Sequence, residues 1–358
     1  MHKNQGIPTN CLIKIDPSLQ KNQKMVKKCS HSIHGSYRFS IAPMMDYTDK
    51  HYRVMMRQIT KKALLYTEMI VAQALYHSKK LDQLLNFNEI EHPISLQIGG
   101  DNPKQLAKAT KLAKEWGYDE INLNVGCPSP RVQSGNFGAC LMADPELVAR
   151  CIEAMVDASD LPVTIKHRIG IDQLDNNEIL LKFVDRVACA GAKRFTIHAR
   201  KAWLKGLNPK QNREIPPLEY GRVKYIKEER PDLKIELNGG INYLEDCTNQ
   251  LSTFDGIMVG RSAYKHPLRW VNVDEVIYGE AEKNIYASKI IRGIIPYAEK
   301  HLTENGKLWD ICRHLNQLVE NVPGAKTWRS ELTEKARKQK KEVGILEEAA
   351  RQLEEVGL

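Results

Sequence analysis

The chain has 358 residues, 42% of them apolar and 27% charged, with a formal net charge of +9. That length holds one large α/β domain with a smaller appendage, and the balance is that of an ordinary globular protein. No apolar run approaches the ~18 residues of a membrane span and no apolar segment precedes a small-residue cleavage site, so neither membrane insertion nor secretion is expected.

Eight cysteines lie scattered with no C-x-x-C pair. A disulfide framework and a metal centre are therefore not expected, and the reducing cytoplasm is the expected compartment. A monomer is expected as well, although no residue pattern in the sequence decides the oligomeric state. Residues 1–36 carry six lysines against one acid, Asp16. This polar, weakly periodic stretch reads as a disordered basic extension, with Met25 as an alternative start. The excess of positive charge suggests a polyanionic partner such as nucleic acid.

From Tyr37 onward a short apolar run, a loop and an amphipathic helical stretch repeat. The runs are R-F-S-I-A-P-M (38–44), A-L-L-Y-T-E-M (63–69), I-S-L-Q-I-G-G (94–100), E-I-N-L-N-V-G (120–126), P-V-T-I-K-H-R (162–168), R-F-T-I-H-A-R (194–200), K-I-E-L-N-G-G (234–240) and G-I-M-V-G-R-S (256–262). Helical spacing appears between them, as in 102–117, and in 144–158, where Asp144 reads as an N-cap with Pro145 in the first turn. Eight such units in about 230 residues predict a (β/α)8 TIM barrel over 37–282. A doubly wound sheet competes, but no G-x-G-x-x-G follows the first strand. Beyond Pro267 the strand signal stops. Residues 283–358 read as a helical domain with helices over 288–302, 308–322 and 330–356, broken at Pro323-Gly324.

A barrel of this kind carries its chemistry at the C-terminal ends of its strands. The polar or special residues there are Met44 and Met45, Glu68, Gln97, Asn124 with Cys127, Lys166 with Arg168, His198 with Arg200, Asn238 and Arg261. Cys127 follows Gly126 and precedes Pro128, which restricts its backbone and aims a thiol from a strand-end loop. Asn238-Gly239-Gly240 and Gly260-Arg261 follow strands seven and eight, where backbone N–H groups and an arginine suit a phosphate. Amide side chains and Lys166 around that corner fit a flat phosphorylated cofactor such as FMN. A phosphosugar or pyridoxal phosphate remains open on this ground alone.

Taken in order, A-P-M-M-D-Y-T-D (42–49), E-M (68–69), Q-I-G-G (97–100), N-L-N-V-G-C-P-S (122–129), K-H-R-I-G (166–170), H-A-R (198–200), N-G-G-I (238–241) and V-G-R (259–261) closely resemble the tRNA-dihydrouridine synthases. The insert 199–218 and P-G-A-K-T-W-R (323–329) are similar to the A subfamily, which modifies uridines 20 and 20a of the tRNA D-loop. The resemblance implies an FMN-bound barrel, a helical tRNA-binding domain and NADPH as reductant. It places the flavin contacts at Pro43, Met44, Met45, Gln97, Lys166, His198, Asn238, Gly239, Gly240, Gly260 and Arg261, and it makes Cys127 the proton donor. By analogy with the subfamily signature, Asn124, Lys210, Arg213, Lys326 and Arg329 would contact tRNA.

The implied chemistry suits these residue types. A hydride goes to carbon 6 of uracil and an acid protonates carbon 5; a thiol of ordinary pKa, about 8.5, is mostly protonated at pH 7 and serves as that acid. The base must leave the RNA stack, at a cost of a few kcal/mol that a loop position reduces. Two rivals are a flavin barrel acting on a free pyrimidine, which needs neither the basic loop nor the basic tail, and a non-catalytic tRNA-binding protein, which needs neither Cys127 nor Lys166.

Overall fold

The computed structural model describes residues 35–358, so the expectation for the basic extension falls almost entirely outside the described residues. Eight parallel strands lie where the apolar runs predict them. They are β1 (Phe39–Ile41), β2 (Leu64–Tyr66), β3 (Ile94–Gly99), β4 (Glu120–Val125), β5 (Val163–Arg168), β6 (Arg194–His198), β7 (Lys234–Asn238) and β8 (Gly256–Val259). Each pairs with the next, and β8 pairs with β1, so the sheet closes and leaves no open edge. A two-residue strand, Ile70–Val71, adds to the end of β3.

The helices that follow successive strands are α1 (Lys50–Ile59), α2 (Ala72–His77), α3 (Pro103–Glu115), α4 (Pro145–Ala158), α5 (Asn177–Cys189), α6 (Tyr220–Glu229), α7 (Leu244–Gln250) and α8 (Arg261–Lys265). Their starts are set by capping side chains: Asp49, Asn102, Asp144 and Asn176 each accept an N–H of the first turn. Alternation then sorts each strand. On β4, Ile121, Leu123 and Val125 are fully buried among outward-facing apolar residues, while Glu120, Asn122 and Asn124 point to the barrel axis.

The floor of that interior is polar. Glu120 Oε1 accepts from Tyr66 OH at 3.1 Å, Ser95 Oγ at 2.9 Å and Thr164 Oγ1 at 2.9 Å, and its other oxygen pairs with Arg194. Glu236 accepts from the hydroxyls of Ser40 and Thr196. Seven of the eight strands thus contribute to a fully buried charge and hydroxyl network, which holds only because nearly every partner is satisfied.

Four helices complete the chain: α9 (Ala287–Thr303), α10 (Leu308–Leu315), α11 (Ala325–Lys338) and α12 (Gly344–Glu354). Two helices expected as single rods are shorter or split. The 308–322 segment leaves α-helix at Leu315 for a 3-10 turn, Asn316–Leu318. The 330–356 segment begins earlier, at Ala325 after left-handed Gly324, and breaks after Lys338. The break falls in a lysine-rich run, and it frees the Lys340 carbonyl to accept the Leu308 N–H at 3.0 Å. Trp328 Nε1 then donates to the Ala349 carbonyl at 3.2 Å, joining α11 to α12. α9 and α10 seat on α1, with α12 packed on α9 and α11 on α10; at the start of α1 Arg313 reaches the Asp46 carbonyl at 2.9 Å and pairs with Asp49. Among the described residues no helix is long and apolar enough to cross a membrane.

Candidate active site

The inward positions near the C-terminal strand ends form one continuous hydrogen-bonded arc. Gln97 Nε2 donates to Asn122 Oδ1 at 2.8 Å, and its Oε1 accepts from Asn124 Nδ2 at 2.9 Å. Asn124 Oδ1 in turn accepts two loop amides, Gly126 N–H at 3.1 Å and Cys127 N–H at 3.0 Å. Asn124 is only 9% exposed, so its side chain works chiefly as the anchor of the Cys127 loop. A second tether comes from the far side, where the Cys127 carbonyl accepts the Ala139 N–H at 2.9 Å. Gly138 has to be glycine there: its φ is +79°, and a Cβ would stand 2.6 Å from that carbonyl. Cys127 is thereby half-buried on a loop fixed from both sides.

Arg168 locks this loop to the next one. Its Nε donates to the Gly126 carbonyl at 2.8 Å, and its Nη1 to the carbonyls of Lys201 and Asn212 at 3.0 and 3.1 Å. Burial brings its pKa down to about 10. The 199–218 segment, which the sequence marks only as long and basic, is organised by buried Asn212. That side chain accepts from Trp203 N–H at 2.8 Å and donates to the Trp203 and Leu207 carbonyls. Lys210 and Arg213 therefore project from a built loop, Lys210 exposed and Arg213 half-buried.

Across the mouth, Lys166 Nζ donates to Asn238 Oδ1 at 2.9 Å, and Asn238 Nδ2 donates to the Met258 carbonyl at 2.8 Å. Burial, then the nearby Arg168 charge, lowers the Lys166 pKa to about 8. Burial and the charges of Arg168 and Lys166 hold His198 well below the usual histidine range, so it is a neutral imidazole. Gly239 and Gly240 both take positive φ, and a Cβ at Gly239 would meet the His198 ring at 2.6 Å. Above Gly260 the nearest atoms to a Cβ would be Ala42 Cβ at 3.6 Å and Met44 Sδ at 3.7 Å, ordinary contacts that leave space over the backbone.

Two features bear on whether a phosphorylated flavin suits this mouth. Arg213 Nε is buried with no hydrogen-bond partner, a donor that a ligand oxygen would satisfy. Arg261 is exposed and donates to Glu214 Oε1 at 3.0 Å, holding a carboxylate where the sequence assigns it a phosphate. The lysine and amide pair and these two arginines suit a flat ring with an anionic tail. Pro43 and Met44 are half-buried at the rim, and Met45 is 54% exposed beside them. Lys326 and Arg329 lie apart, in the first turns of α11. Lys326 is exposed, and Arg329 donates to the Val319 carbonyl.

Sequence reading missed the bracing role of Arg168, the carboxylate of Glu214 and the interior network of Glu120, Arg194 and Glu236. The alternation of Glu120, Asn122 and Asn124 on β4 is the one sequence signal that points inward along that strand.

Residues 40–354 match the family model described as Dihydrouridine synthase (Dus). A Shewanella oneidensis protein named tRNA-dihydrouridine(20/20a) synthase is 52% identical over 300 residues, covering 84% of this chain and 89% of its own. A Synechocystis protein of the same name is 53% identical over 295 residues, 82% of this chain and 88% of its own. One from Escherichia coli K12 is 46% identical over 329 residues, with 92% and 95% covered. With the closed barrel and the residues at its mouth, these matches make the chain a member of the dihydrouridine synthase family.

Proposed function

We propose that this chain reduces uridine to 5,6-dihydrouridine in the tRNA D-loop, at positions 20 and 20a, with FMN as cofactor and NADPH as reductant. The observation that carries the reading is Cys127, held by Asn124 and Arg168 at the strand-end mouth opposite the Lys166–Asn238 pair. Bound FMN supplies the hydride for carbon 6 of the uracil. Lys166, Asn238, Gln97 and His198 hold the ring edges, with Pro43, Met44 and Met45 at the rim. Gly239, Gly240, Gly260 and Arg261 take the phosphate. Cys127 gives its thiol proton to carbon 5, and the negative charge left on sulfur faces the cations of Lys166, Arg168 and Arg213, all electrostatically coupled to it.

The RNA reaches this mouth over the 199–218 loop and the helical region 283–358. Asn124, Lys210, Arg213, Lys326 and Arg329 are its proposed contacts, the exposed lysines meeting phosphates. The protein works as a cytoplasmic monomer. The test maps dihydrouridine in tRNA from a strain lacking this gene, with and without the wild-type copy. Restoration at 20 and 20a supports the reading. A colourless purified protein, or tRNA that stays unmodified at both positions, sinks it.

A further inference from the structure

Away from the barrel mouth, three side chains from separate segments converge where α1 meets the C-terminal helices. His51 lies in the first turn of α1, His301 in the last turn of α9 and Asp310 in the first turn of α10. One ligand-type atom of each lies within 4.8 Å of the other two. His301 Nε2 is 3.1 Å from Asp310 Oδ2. Two ligands bound about 2.0–2.1 Å from one tetrahedral ion lie about 3.3 Å apart, so this pair already has the spacing of neighbouring ligands.

The surroundings orient these groups as outer partners orient metal ligands. His51 Nδ1 is 2.8 Å from Tyr297 OH, which leaves Nε2 as its free ring nitrogen. Asp310 Oδ2 also accepts the Lys307 N–H at 3.1 Å, which fixes the carboxylate. A Cβ at Gly306 would stand 2.1 Å from His301 Nε2, so only glycine lets the chain pack this closely on the imidazole and fix its position. A cleft lined by Lys50, Asn88, Tyr297, Lys300, His301 and Glu304 adjoins the cluster. Lys50 and Lys300 oppose a cation here, and Asp49 and Glu304 offset their charge.

We propose that His51, His301 and Asp310 form a binding site for a divalent ion of the zinc class, with water in the fourth position. Two imidazoles and one carboxylate select such an ion over magnesium or calcium, which take all-oxygen sets. The ligands come from the barrel layer and from two C-terminal helices, so the ion clips the helical region to α1. Scattered over 260 residues of sequence, they show no metal-ligand spacing, which is why the sequence points to no metal.

The test takes the full-length flavoprotein, strips it with a chelator and dialyses it to equilibrium against Zn2+ before elemental analysis. Wild type is expected to hold about one zinc per chain and to unfold a few degrees higher with zinc than without. The variants His51→Gln, His301→Gln and Asp310→Asn, checked for folding by flavin content, are expected to lose both effects. Cys189→Ser, removing an exposed thiol, is expected to keep them. Wild type holding well under one zinc per chain, or two of the three variants binding as wild type does, would overturn the proposal. Because the readout is binding and stability, it stands or falls apart from uridine reduction.

Discussion

Replacing Asn124 by alanine separates loop anchoring from RNA contact as the chief work of this side chain. The change removes the donor to Gln97 Oε1, whose side chain is buried, and the acceptor of the Gly126 and Cys127 amides. A buried carbonyl left without a donor costs about 1–3 kcal/mol, and each half-exposed amide, which water can reach, costs about 0.5–1 kcal/mol. The loop is then held by Arg168, Ala139 and, through the Pro128 carbonyl, Gln133, and a shift of about 1 Å in a reacting group costs ~10²-fold in rate. Asn124→Ala should therefore slow single-turnover dihydrouridine formation by about that factor, with the KM for tRNA changed less than about threefold. Asn124→Asp, which keeps an acceptor for the two amides, should recover part of the rate. The assay is rapid-quench formation of dihydrouridine by the pre-reduced enzyme, alongside denaturant unfolding. Wild-type turnover with weakened tRNA binding would refute the anchoring argument and leave Asn124 as an RNA contact.

Other outcomes follow from the same geometry. Arg194→Met leaves the Glu120 and Glu236 carboxylates buried without their cation, a loss of about 3–5 kcal/mol; a denaturant midpoint close to wild type would contradict the view that this network holds the barrel floor. Lys166, with its pKa lowered to about 8, is cationic below that pH and neutral above it. Reduction of tRNA should accordingly decline as pH rises through about 8, and Lys166→Met should already be slow at pH 7, where wild type still carries the cation. Lys210→Ala and Lys326→Ala should weaken tRNA binding more at low salt than at high, each lowering the salt slope by roughly 0.7–0.9. Neither should alter flavin reduction by NADPH without tRNA; an unchanged salt slope would remove that lysine from the interface.

The barrel and much of its mouth are legible in the sequence because a closed parallel sheet imposes two simple rules. Strands alternate between the axis and the helices, and chemistry gathers at one end, so a polar residue ending an apolar run marks the mouth. Gln97, Lys166, His198 and Asn238 stand out for that reason. What stays hidden is how loops pair. Nothing local indicates that Arg168 reaches the carbonyls of both the Cys127 loop and the 199–218 loop, because backbone acceptors carry no residue signature. Glu120 and Arg194 begin their strands and resemble solvated ends; only closure of the sheet brings them together. The split of the last helix is equally non-local, since the Lys340 carbonyl is used by Leu308.

The most direct test of the account is an anaerobic stopped-flow experiment that mixes reduced enzyme with tRNA lacking dihydrouridine. Wild type should reoxidise its flavin at the rate at which dihydrouridine forms. Cys127→Ala, with flavin bound as in wild type, should be slower in both by ~10² or more. Equal rates in the two proteins would contradict the assignment of Cys127 as proton donor, and with it the purpose given to the loops that hold it.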